Sequence, residues 1–218
     1  MGTASCPSVP INNRTNGTTS LNLEIYIRDS HTRNSTEDIV TITMAPPGTG
    51  FVTGGGYLTM TSSIGEVPGA AGTHTKLGFN VKCNKSKTTL QGQVNVIIRS
   101  KTVASGDRCS AGPDGIHVYQ VKSNKINSLG VTDAGSYPAY ATVIAGASIK
   151  DVTNPLKVCS VGGNATLQSN LTHNSPGSQT DMIGVSFLDG SNNLWYAGSW
   201  NGGQIVQQQN MSGNVTIH

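Results

Sequence analysis

The stretch LNLEIYIR (residues 21–28) alternates strictly. Leu21, Leu23, Ile25 and Ile27 share one face, and Asn22, Glu24, Tyr26 and Arg28 the other. A period of two is the mark of a half-buried β-strand. A polar loop from Asp29 to Asp38 follows, and residues 39–44 repeat the pattern with Val40, Ile42 and Met44 on one face. Pro46, Pro47 and Gly48 end it, because proline supplies no ladder donor and glycine favours a turn. A lone two-stranded hairpin is marginal in water. The apolar faces of this pair therefore require a partner surface, either the body of the same chain or another molecule that accepts an added strand.

Further along, the same reading predicts a β-rich body. Phe51–Leu58 reads as strand, glycine kink, strand, with Gly54, Gly55 and Gly56 permitting a bulge or a close backbone approach. Leu77–Cys83 and Leu90–Ile98 form a hairpin across the turn Asn84–Lys87. Further strands are predicted at Ile116–Val121, Tyr140–Ile149, Asn164–Leu171, Met182–Leu188, Leu194–Trp200, Ile205–Gln208 and Asn214–Ile217, with a turn at Asp189–Asn193. Short strands at regular spacing predict an all-β chain: an antiparallel β-sandwich of immunoglobulin-like or jelly-roll type with an N-terminal strand extension. The organisation is a polar tail over 1–20, a strand pair over 21–47 with possible donor strands, and a sandwich body over 48–218.

Composition agrees with this class. Asn, Ser, Thr and Gly supply 93 of 218 residues, charged residues only 11%, and Glu occurs three times. Glycine and asparagine enter turns cheaply and threonine suits a pleated strand, whereas helix formers are scarce. The net charge of +3 is spread along the chain, so no phosphate-binding footprint is expected and nucleic acid is not a predicted partner. No run approaches the ~18 apolar residues of a membrane span, and residues 1–10 lack the apolar stretch of a secretion signal.

Cys6, Cys83, Cys109 and Cys159 are widely spaced, which disfavours zinc and favours disulfides in an oxidising compartment. Three pairings are possible. Cys83 closes the alternating run Leu77, Phe79, Val81 and is expected to face a core. Glycosylation sequons stand at Asn13, Asn16, Asn34, Asn84, Asn164, Asn170, Asn210 and Asn214. The composition gives about four by chance under the motif's definition, so eight is twofold enriched. The sequence thus predicts an extracellular, secreted or cell-surface chain that carries or binds glycans.

No metalloprotease, phosphate-loop, nucleophile-elbow, dinucleotide or calcium-loop motif occurs. No catalytic residue, metal ligand or cofactor is therefore predicted, and His117, next to Tyr119 in a strand, reads as a structural residue. Asp181 and Asp189 flank one predicted strand and read as turn formers. Trp195 and Trp200 read first as core fillers in a chain poor in aromatics, with stacking on a sugar ring as the competing role.

TGFVTGGGYL (49–58), GIHVYQVKSNKINSLGV (115–131), ASIKDV (147–152), DMIGVSF (181–187) and LWYAGSW (194–200) resemble, in order and spacing, a β-rich module of large secreted and surface bacterial proteins. IYIRDSHTRNSTEDIVTITMAPP (25–47) resembles the last two strands of an Ig-like or PKD-like domain that often precedes it. The resemblance implies an extracellular structural or binding module and supplies no catalytic residues. Two functions are expected from these readings. One is a structural subunit of a glycosylated filament, a homopolymer built head to tail by donating Leu21–Ile27 and Val40–Met44 into a groove of the next copy. The alternative is a monomeric carbohydrate-binding or adhesion module. A hydrolase ranks third, because it lacks a motif.

Overall fold

The computed structural model describes residues 19–25, 38–44, 50–84, 88–112, 114–175, 181–201, 204–210 and 212–218. The chain divides into two compact units, Met1–Pro46 and Pro47–His218. The first contains an antiparallel pair, β1 (Thr19–Ile25) and β2 (Asp38–Met44). Its ladder sets Leu21 opposite Ile42 and Leu23 opposite Val40, so the alternating positions of the two strands are in phase. Ile27, Cys6, Asn13, Asn16 and Asn34 lie outside the described residues.

The second unit is all-β and antiparallel, as its alternation dictates. Its strands are β3 (Phe51–Thr59), β4 (His74–Cys83), β5 (Leu90–Ser100), β6 (His117–Thr132), β7 (Ala139–Asp151), β8 (Cys159–His173), β9 (Met182–Leu188), β10 (Leu194–Ala197), β11 (Trp200–Asn201), β12 (Gln204–Ile205), β13 (Gln208–Gln209) and β14 (Gly213–Ile217). The main ladder runs β10-β9-β8-β7-β6-β5-β4-β3-β14, with β13 on β9 and β11-β12 as a separate small pair. The main strands therefore belong to one curled sheet, where the sequence suggested two facing sheets.

Inside and outside follow the period of two. On β4, Thr75, Leu77, Phe79 and Val81 are buried, while His74, Lys76, Asn80 and Lys82 are exposed. Each fully buried large apolar side chain contributes roughly 1.5–3 kcal/mol. The inward face of β7 is mostly alanine (Ala139, Ala141, Ala145, Ala147), and bulk comes from the buried rings of Tyr119, Phe187, Trp195 and Tyr196. Among the described residues no helix is long and apolar enough to cross a membrane. Polar residues on the outer face of β4 and apolar ones within are the inverse of a lipid-facing barrel.

The two flanks of the sheet are bridged by the body's own chain. At β10, Ile64 and Ala197 exchange backbone hydrogen bonds (3.2 and 2.8 Å), and Glu66 and Val67 donate to the carbonyls of Leu194 and Trp195 (3.1 and 2.9 Å). At the other flank Asn210 N–H donates to the Asp181 carbonyl (2.8 Å), and Val215 N–H donates to its carboxylate (2.7 Å). The three glycines of β3 make the seam possible. Gly54 and Gly56 hold φ of 151° and 154°, and a Cβ on Gly56 would lie 1.7 Å from the Ser212 carbonyl oxygen.

Cys109 and Cys159 form a disulfide that closes a 50-residue separation. Cys83 is a free thiol, half-buried at the end of β4 and not in the core as expected. The alternation that buries Val81 weakens at Cys83, where β4 ends. The Asn84 Oδ1 accepts from the N–H groups of Thr88 (2.8 Å) and Thr89 (3.2 Å).

Candidate functional site

The first candidate lies on the outer face of β8 and β9. Leu167, Ser169 and Leu171 point inward, so Thr166, Gln168 and Asn170 share the outer face of β8 by the pleat. The ladder sets Gln168 opposite Ser186 and Thr166 opposite Leu188 on β9. The Trp200–Ile205 pair of β11 and β12 borders the trough that results. Thr166, Gln168, Asn170, Ser186, Leu188, Trp200 and Ile205 line a cavity of about 380 Å³. Gly184 lets this segment settle on β9, since a Cβ there would lie 2.9 Å from the Ile205 side chain. Among the described residues the lining contains amides, hydroxyls, two aliphatic side chains, one indole and no ionised group. Asn170 Oδ1 accepts from Thr142 Oγ1 (3.4 Å) and Gln168 Nε2 (3.3 Å), so neighbouring outward residues set the direction of the amides.

Trp195 does not belong to this trough. It is 3% exposed and meets the ring of Tyr119 edge-on, centroids 5.4 Å apart. A strand of period two would set Trp195 and Tyr196 on opposite faces, yet both are buried. A register shift between Leu194 and Tyr196 breaks the parity, and the segment carrying Glu66 and Val67 hydrogen-bonds along this edge. Of the two stacking candidates only Trp200 is half-exposed beside a cavity.

The second candidate is a buried polar cluster at the start of β6 and the end of β7. His117 Nδ1 lies 2.6 Å from Asp151 Oδ2 and 3.5 Å from Asp107 Oδ2. Asp107 Oδ2 accepts from the Tyr119 hydroxyl (3.0 Å), which itself accepts from Ala104 N–H (2.9 Å). Asp107 Oδ1 accepts from Cys109 N–H (2.9 Å), and Asp151 Oδ1 from Thr153 N–H (2.7 Å). Burial pushes the Asp151 carboxyl up, but hydrogen bonds from Thr153 and His117 outweigh it and hold the group below its ordinary value. Burial raises the Tyr119 hydroxyl well above the usual phenol range. Composition and motif searches miss this cluster because its members come from separate segments. Parity is the signal that would have found it: His117 alternates with the buried Tyr119 and Val121, and Asp151 with the buried Ile149 and Ala147.

The sequons differ in their surroundings. Asn164 and Asn214 are exposed, and Asn84 and Asn170 are half-buried. Asn210 is 3% exposed, and its Nδ2 donates to the Gly55 carbonyl (3.2 Å). The nitrogen that would carry a glycan is thus engaged inside the fold. Asp181 accepts from His173 (3.1 Å), Asn174 and Val215. Asp189 accepts from Ser191 and Asn193, the turn-forming role expected of it. Comparison with family models, curated proteins and solved structures returns no match.

Proposed function

We propose that this chain is a non-catalytic, extracellular carbohydrate-binding module whose ligand is a neutral saccharide seated against Trp200. The observation that carries the reading is the lining of the trough: one half-exposed indole beside Gln168, Asn170, Thr166 and Ser186, with no ionised side chain among the described residues. Sugar rings present an apolar C–H face for stacking and a rim of hydroxyls that pair with amides. A charged substrate would find no counter-ion there. The disulfide and the resemblance to surface modules support an oxidising, extracellular setting.

Titrating the chain with neutral oligosaccharides and following tryptophan fluorescence and heat tests this. Saturable binding that is lost in Trp200→Ala and weakened in Gln168→Ala is expected. Absence of binding across a broad glycan panel sinks the proposal.

A second reading, donation of the first strand pair to another copy, draws on the in-phase register of β1 and β2. Electron microscopy of full-length chain beside a version lacking 1–47 tests it. Filaments formed only by the full-length chain would favour this reading over the saccharide module.

A further inference from the structure

The inward positions at the start of β6 and the end of β7 hold charge where an all-β interior normally holds hydrocarbon. The side chains of Asp107 and Asp151 are fully buried, and that of His117 is 3% exposed. Two carboxylates confined together repel one another and lose hydration. A divalent cation compensates both carboxylates, and a neutral imidazole is the form that ligates such an ion.

We infer that Asp107, His117 and Asp151 form a structural site for a divalent transition-metal cation. One donor atom from each residue lies within 4.8 Å of the other two. Four-coordinate zinc, with ligands near 2.1 Å, sets its donors about 3.4 Å apart. The 3.5 Å between His117 Nδ1 and Asp107 Oδ2 already meets this. The 2.6 Å hydrogen bond to Asp151 opens by less than an ångström when the metal replaces its proton. The surrounding bonds orient the ligands as such sites require: Tyr119 aims Asp107 Oδ2, Cys109 N–H holds its other oxygen, and Thr153 N–H holds Asp151. One imidazole with two carboxylates suits zinc or manganese better than copper(I), which prefers sulfur. The three side chains fill three of the four positions and leave the fourth to a water; joining two strands to the loop carrying Asp107 and the disulfide, the metal would clip that loop onto the sheet.

Zinc ion alone is the probe. Chain stripped with a chelator and dialysed is titrated calorimetrically, and its melting temperature is recorded with and without zinc. One saturable site of micromolar or tighter affinity is expected, with a higher melting temperature. Asp107→Asn and His117→Gln should each weaken binding by at least about tenfold, while Asp189→Asn leaves it unchanged. No saturable binding by the folded chain, or affinity unaltered in both variants, overturns the site. Should the variants fail to fold, X-ray absorption at the zinc edge of the wild-type complex decides. A shell of one imidazole nitrogen with carboxylate oxygens supports the assignment. An all-oxygen or sulfur shell refutes it.

Discussion

The Asn210 amide donates to the Gly55 carbonyl across 3.2 Å, and the gap between them exists only because residue 56 lacks a side chain. A Cβ there would sit 2.0 Å from Asn210 Oδ1 as well as 1.7 Å from the Ser212 carbonyl oxygen, on a backbone at φ 154°. Gly56→Ala should therefore cost about 3 kcal/mol in urea unfolding, since it combines overpacking with a backbone that L residues avoid. Gly78→Ala is the control: nothing lies within 4 Å of its Cβ position, and its stability should move by less than about 0.5 kcal/mol.

Replacing both Cys109 and Cys159 with serine frees a 50-residue separation in the unfolded chain. The chain-entropy estimate for a loop of that length is about 4 kcal/mol at room temperature. A drop of about 2–4 kcal/mol is expected by denaturant titration. Adding a thiol reductant to the wild type should reproduce the drop and leave the double variant unaffected.

Thr75 Oγ1 and the Tyr196 hydroxyl lie 2.8 Å apart in the interior, and burial raises the tyrosine well above the usual phenol range. Tyr196→Phe strands a fully buried threonine hydroxyl and should cost about 1–3 kcal/mol. Adding Thr75→Val removes the stranded group, so the double variant should recover part of the loss. A double-mutant cycle measured by thermal and urea unfolding reads the coupling.

The Asp189 carboxyl is held below the ordinary 3.8 by hydrogen bonds from Asn193 and, more weakly, from Ser191. Depression of a folded-state pKa means that its stabilisation is fully present above the unfolded value and is lost as pH falls through the lower folded one. The amides of Ser191 and Asn193 should keep their exchange protection from neutral pH down to the acid end of the carboxylate range and then lose it. In Asp189→Asn this acid step should vanish from the hydrogen-exchange profile.

Strand positions were largely legible because alternation is a local property. Met182–Leu188 matches β9 residue for residue, and Phe51–Leu58 falls one residue short of β3. The prediction at Ile116–Val121 stopped early because Lys122, Ser123, Asn124 and Lys125 interrupt the apolar alternation. In the structure β6 continues to Thr132 through register shifts at Ser123/Lys125 and Ile126/Ser128. Curling of one sheet instead of facing of two is a long-range outcome, decided by bridges such as Ile64 to Ala197. The candidate site was half visible. Trp200 stood out as one of two tryptophans that could stack on a sugar, whereas its partners Gln168 and Ser186 needed the β8–β9 register to be seen together. Burial of both Trp195 and Tyr196 depended on a bulge that no period-two reading anticipates.

From β3 to β10 every strand pairs with its neighbour in sequence, but β14 returns to β3, setting Ile217 opposite Val52. A chain emerging from a ribosome or a translocation channel would zip its hairpins one after another and yet hold β3 unpaired on one side until the last segment arrived. That exposed edge is the aggregation hazard of unfinished sheets. The slow, rate-setting contact should be this final closure, because its sequence separation is the largest in the sheet. Chaperones or channel components that shield the Phe51–Thr59 segment during synthesis would then govern the yield of folded protein.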